Sequence, residues 1–267
     1  VPHRIELNGN PLGPDAFIAG MTSYGHFTAM QVRDGRVRGL SHHLDRLASS
    51  TRLLFGADLD TDLVCAYVRR AVADEPALSV RVMVLTRSLD EPMKPEILVR
   101  TLPPHPVDPA PLRLKTVRYE RDLPQVKHLG TFGLIHHSRQ AELAGFDDAL
   151  FVDHQGRISE ASMWNAGFLA GGTVVWPEAE VLPGITMLLQ REALERLGVP
   201  QETREVRPAD LPAFDAMFVT NSETPGRPVA AVDDFVLPPA DRAVRLLAGA
   251  YETVPWDEIR PGGADPI

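Results

Sequence analysis

With 267 residues, 44% of them hydrophobic and 24% charged, the chain has the composition of an ordinary globular protein and the length for one large domain or two small ones. Its formal charge of -9 lacks the basic footprint that attracts nucleic acid or an anionic membrane, and the lone cysteine, Cys65, excludes an intrachain disulfide and a cysteine-rich zinc cage. No window offers the ~18 uninterrupted apolar residues of a membrane span and the first residues lack a signal-peptide core, so the expected setting is the cytoplasm, without nucleic-acid or membrane partners.

In chain order, residues 27–32 and the returning Arg36 flank Asp34-Gly35, a pair suited to the positive backbone angles of a hairpin. Ser41 is the expected cap of a helix whose apolar face carries Leu44, Leu47, Leu53 and Leu54 and which stops at Gly56; a second helix covers 60–73. Strands follow at 79–85 and 96–100. The proline-rich stretch 102–111 sustains neither helix nor central strand, and divides the chain into domains 1–108 and 109–267, unless it is a surface loop within one domain. Beyond it the pattern predicts a strand at 112–117, a helix at 133–144, strands at 149–152 and 167–170 and a helix from Ile185 to a stop at Gly198. Strands at 216–219 and 229–232 and a helix at 239–251 complete a mixed class, α+β or α/β.

Lys127 lies among apolar residues in a stretch short of acids, and a lysine that condenses with an aldehyde must be partly neutral. His128 points to the other face if the stretch is extended. Gly156 turns the chain so that Glu160 can be delivered inward on a return strand, where a carboxylate can hold a pyridine nitrogen protonated; Asn165 can buttress it or bond to backbone. Leu182-Pro183-Gly184-Ile185-Thr186 opens a helix whose free amides, with the Thr186 hydroxyl, suit a phosphate. Thr220-Asn221-Ser222 offers a second polar turn, and Arg46 a guanidinium for the same anion. Each feature alone also fits an ordinary role: a solvated lysine, an acid after a hairpin, a helix stop, a surface ion pair. The doublets His42-His43 and His136-His137 diverge in space and gather no acids, so no metal is expected.

Together, in this order, these residues resemble the class IV, fold type IV group of pyridoxal-phosphate enzymes, which includes branched-chain and D-amino-acid aminotransferases and aminodeoxychorismate lyase. The resemblance implies a small N-terminal α/β domain, a larger barrel-like C-terminal domain and a homodimer. Pyridoxal 5'-phosphate would form a Schiff base with Lys127, pair its ring nitrogen with Glu160 and be held by Arg46, Asn165, Ile185, Thr186, Asn221 and Ser222. An amino donor and a keto-acid acceptor would be the substrates, with Tyr24, His26, Thr28 and Arg87, and also Arg33, as candidates to line their pocket. The chain departs from the group's pattern at Gln31, where an arginine is common, and at Phe132, five residues after the lysine, where branched-chain enzymes place a tyrosine. The reading is an aminotransferase; alternatives are lyase-like release of pyruvate from 4-amino-4-deoxychorismate, with Thr28 assisting proton transfer, and a noncatalytic metabolite-binding protein.

Overall fold

The computed structural model describes residues 4–11, 23–73, 75–90 and 92–259. The chain forms two units, one from Val1–Pro106, Val126–Gly130 and Pro255–Ile267, the other from Val107–Gln125 and Thr131–Val254. The proline-rich stretch is where the chain first leaves the first unit, but the division is not sequential as expected. A short piece carrying Lys127 and the C-terminal segment return to the first unit by pairing with its sheet, which local patterning cannot show.

The first unit comprises β1 (Arg4–Leu7), β2 (Asn10–Pro11), β3 (Gly25–Arg33), β4 (Arg36–Val37), α1 (Leu40–Phe55), α2 (Thr61–Val72), β5 (Ala77–Leu85) and β6 (Glu96–Leu102). With the late strand Asp257–Glu258 they make a seven-stranded sheet in which β3 lies between β4 and β5. Asp34 and Gly35, at φ 49° and 69°, make the tight turn that pairs Arg33 with Arg36. Period-two alternation sends Met30 and Val32 toward the helices, into a core with Leu47, Val64, Val68 and Val82.

Two helix details differ from expectation. Ser41 lies inside α1, whose N-cap is Gly39, and the Leu40 N–H is taken instead by Asp257 Oδ2 at 2.9 Å, a partner from the far end of the chain. Leu53 is 54% exposed, so the apolar face is narrower than the leucine spacing suggests. The second helix is capped locally, with Asp60 Oδ1 accepting from Leu63 N at 3.0 Å.

The second unit runs β7 (Leu112–Arg118), α3 (Phe132–Leu143), β8 (Asp148–Val152), β9 (Ile158–Ala161), β10 (Asn165–Ala170), β11 (Thr173–Pro177), α4 (Ile185–Arg196), β12 (Gln201–Arg204), β13 (Ala216–Thr220), β14 (Arg227–Val232), β15 (Phe235–Val236) and α5 (Asp241–Glu252). Strands β10, β13, β14, β7, β8 and β9 pair in that order, and β9 pairs again with β10, closing a six-stranded barrel. Leu114, Leu150, Ile158, Phe168, Met217 and Val219 fill it, while Leu169, Trp176 and Phe218 face α4 and α5. A register shift between β8 and β9 pairs Val152 with Ile158 but Leu150 with Ala161. The extra residue lets Glu160 side with its partner on β10, Asn165, instead of entering the barrel with Ile158.

Candidate active site

Lys127 is held in the first unit as a short strand against β3. The Phe27 N–H donates to the Lys127 carbonyl and the Leu129 N–H to the Gly25 carbonyl, both at 2.8 Å. Val126 is buried in the helix-side core and Leu129 packs on the opposite face with Leu85 and Leu98. Burying Val126 alone contributes about 2 kcal/mol toward holding the segment. The alternation puts Lys127 beside Phe27, its Nζ 4.9 Å from the ring centre, and His128 on the other side. The Arg81 guanidinium lies 4.9 Å from the same ring centre, and Arg81 pairs across the sheet with Ala29 and Arg100. Sequence reading misses Arg81, because one arginine in an alternating strand reads as a solvated face.

The next residues of β3 face α1. His26 is 1% and Thr28 0% exposed, which corrects the expectation that they line a substrate pocket: the sheet alternation turns them under the helix. Lys127 and Arg46 therefore contact neighbouring β3 residues that point to opposite faces. Thr51 gives its hydroxyl proton to the Leu47 carbonyl at 2.8 Å, so His26 Nε2, 3.0 Å from Thr51 Oγ1, is the donor. His26 Nδ1 is left buried without a hydrogen-bond partner. Burial, with Arg46 nearby, lowers the His26 pKa from 6.5 to about 4.

That shift has a measurable consequence. Unfolded His26 takes up its proton as pH falls through 6.5 while the folded form resists until about 4. Its contribution to stability is complete above pH 6.5 and is lost as pH falls toward 4, at up to about 1.4 kcal/mol per pH unit. Urea unfolding at a series of pH values is expected to show a shallower acid loss in His26→Asn than in the parent; parallel profiles would refute the assignment.

Arg46 is the candidate guanidinium for the anion. Its Nη2 donates to Thr28 Oγ1, its Nε is buried without a hydrogen-bond partner, and burial lowers its pKa to about 10. Among the described residues no carboxylate forms an ion pair with it. A desolvated guanidinium with an unspent donor suits a phosphate. Tyr24 donates to the Leu54 carbonyl at 3.0 Å and packs edge-on against Phe55. The Arg87 guanidinium, half-exposed, forks onto both carboxylate oxygens of Glu96. Gln31 donates to Ser79 Oγ at 3.0 Å and accepts from Arg33, which also caps the Leu78 carbonyl.

In the second unit Glu160 is 4% exposed. Arg121 Nε lies 3.5 Å from its Oε1, and both side chains are 5% exposed. The guanidinium offsets the cost of burying the carboxylate's charge. Arg121 gives no signal in the sequence, where Tyr119-Glu120-Arg121-Asp122 reads as a solvated charge run. Glu160 Oε2 accepts from the Leu182 N–H at 3.3 Å, and Asn165 Nδ2 donates to the Leu182 carbonyl at 2.8 Å. The paired residues of β9 and β10 thus grip both backbone groups of Leu182, at the head of the turn that opens α4. That helix has no acid in its first turn and no side-chain cap, and Ile185 and Thr186 are both buried, so its first amides fit an anion.

Gly184 is required by the same grip. A Cβ there would lie 1.9 Å from Asn165 Oδ1, although its backbone angles suit any residue. Gly184→Ala is expected to push Asn165 off Leu182 and cost about 1–3 kcal/mol. In an Asn165→Ala background the added cost should nearly vanish; an equal urea-midpoint shift in both backgrounds would show that the clash is elsewhere.

Asn221 is used within its own turn, its Oδ1 accepting the N–H groups of Glu223 and Thr224 at 2.9 Å, while Ser222 is half-buried beside it. Phe132 opens α3, is 80% exposed and stacks on His136. Among the described residues no group of three or more His, Cys, Asp or Glu is gathered to hold a metal, and no helix is long and apolar enough to cross a membrane.

Comparison with known proteins places this arrangement. A "Probable branched-chain-amino-acid aminotransferase" of Synechocystis sp. is 29% identical over 100 residues, 37% of this chain and 33% of that relative, so the match spans about a third of the curated relative's length. Among solved structures, a branched-chain aminotransferase from Thermoproteus uzoniensis superposes with a TM-score of 0.81 at 20% identity, covering 94% of both chains. The fold IV-transaminase CpuTA1 from Curtobacterium pusillum gives 0.77 at 24% identity, covering 88% of both. These likenesses establish the fold. Class IV aminotransferases depend on pyridoxal 5'-phosphate, and the unspent Arg46 donor, the buried Glu160 and the uncapped α4 fit that group. The model of the amino-transferase class IV family matches residues 25–232, and the chain belongs to that family.

Proposed function

We propose that the chain is a pyridoxal-phosphate-dependent aminotransferase that moves an amino group between an amino acid or amine and a keto acid. The observation that carries this reading is Glu160, buried beside Arg121 and bonded to the turn that opens α4. One rigid piece of backbone thereby fixes a carboxylate and a phosphate-compatible helix start together. The cofactor supplies an aldehyde that condenses with amines and a ring that accepts electrons while its nitrogen is protonated.

The chain's residues divide the remaining work. Lys127 Nζ would anchor the cofactor at rest and, once freed by an incoming amine, would accept the proton that leaves the substrate α-carbon and deliver it to the acceptor carbon. The Phe27 ring, its centre 4.9 Å from Nζ, offers its face to the charged amine. Glu160 would keep the ring nitrogen protonated. The amides of Ile185 and Thr186, the Thr186 hydroxyl, Arg46, Ser222 and the turn shaped by Asn221 would be the groups to hold the phosphate, and Asn165 positions the turn before α4. Arg81, on the Lys127 face of the sheet, supplies positive charge for a substrate carboxylate in place of the arginine missing at Gln31.

Phe132, Ile135 and Leu143 stand 80%, 62% and 65% exposed along α3, an apolar stripe that suits a second copy of the chain in a homodimer. The protein works in the cytoplasm, with no nucleic-acid or membrane partner. The test is a single-turnover reaction of cofactor-loaded protein with a panel of amino donors. Conversion of the cofactor to its pyridoxamine form, reversed by a keto acid, is expected. Pyruvate released from 4-amino-4-deoxychorismate without an acceptor would instead make it a lyase, and no reaction with any donor would leave a binding protein.

A further inference from the structure

The buried contacts around Arg46 run in one direction. A guanidinium only donates, so Thr28 Oγ1 accepts from Arg46 Nη2 and its single proton is free for His43 Nδ1, 2.6 Å away. His43 must then be neutral, with Nδ1 unprotonated. It is 3% exposed, and burial, then the nearby charges of Arg46 and His42, hold its pKa well below the usual range. Were Nδ1 protonated, two donors would converge on one hydroxyl whose own proton had no acceptor. Thr28 is fully buried between the two, so no water can replace either contact.

We propose that Thr28 and His43 are positioning residues: a neutral His43 orients the Thr28 hydroxyl, and that hydroxyl fixes the Arg46 guanidinium for the phosphate group. Arg46 lacks a carboxylate partner among the described residues, so this chain of two hydrogen bonds does what an ion pair would do without consuming the arginine's charge. The inference rests on the proposed role of Arg46 and concerns which of this chain's own residues make that role possible.

Equilibrium binding of pyridoxal phosphate and of pyridoxal, which lacks the phosphate, separates the possibilities. Thr28→Val keeps the shape and removes the hydroxyl, and should weaken pyridoxal phosphate about tenfold while leaving pyridoxal unchanged. Thr28→Ser should restore binding. His43→Leu should weaken pyridoxal phosphate as much as Thr28→Val, and the double variant no more than either, since both act through one contact. Equal losses for both ligands in Thr28→Val would mean a merely structural role and overturn the proposal. So would an unchanged Thr28→Val alongside an Arg46→Ala that loses pyridoxal phosphate. An Arg46→Ala that binds pyridoxal phosphate normally would overturn the phosphate role of Arg46 itself, and this inference with it.

Discussion

Lys127→Ala is expected to abolish covalent retention of the cofactor and to slow amino transfer by at least about 10⁴-fold, the upper range for losing a positioned acid–base group, because the same amine serves as anchor and as proton carrier. Lys127→Arg is the sharper comparison. It keeps a cation beside Phe27, so the neighbouring packing is retained, but it offers no amine that condenses with an aldehyde. Both variants should be equally inactive in single-turnover assays. Substantial activity in Lys127→Arg would mean that position 127 contributes only charge. A small exogenous amine should partly restore proton transfer in Lys127→Ala and not in Lys127→Arg, whose side chain fills the space.

Glu160→Gln should lower turnover by about 10²–10³-fold with little change in substrate KM, because a neutral amide cannot hold a protonated ring nitrogen as a carboxylate does. The same substitution removes the charge opposite Arg121, and breaking a buried ion pair costs about 3–5 kcal/mol. The two effects can be separated. The amide oxygen introduced by Glu160→Gln can still accept from the Leu182 N–H, so the turn before α4 should persist. Adding Arg121→Met to Glu160→Gln removes the buried guanidinium and should recover much of the stability without recovering turnover. If turnover rose in step with stability, the rate loss would be a folding defect and not lost chemistry.

Much of this is legible in the sequence because it is local. The Asp34-Gly35 turn, the Asp60-capped helix and the glycines at 56 and 198 depend on neighbouring residues, and each lies where the pattern predicts. The order Lys127, Glu160, Gly184, Asn221 is enough to suggest the family. What stays hidden depends on pairings distant in sequence. Asp257 caps α1, and Arg121 becomes a core residue only because β9 brings Glu160 to it. Asn165 reads in the sequence as a buttress for Glu160 or a partner of backbone; it is the second hand on Leu182, which follows from a register no local motif encodes. Thr28 looks like a substrate-lining residue from its place beside Phe27, and strand alternation sends it to the other side.

The most direct test of the central claim is reduction of the cofactor-loaded protein with borohydride, followed by peptide mapping by mass spectrometry. Reduction makes a condensed lysine–aldehyde bond permanent, and the chain's other lysines, Lys94 and Lys115, serve as internal controls. One reduced cofactor per chain, confined to the peptide containing Lys127 and displaced when an amino donor is added first, is the predicted result. Label spread over Lys94 and Lys115, or none at Lys127, would contradict it.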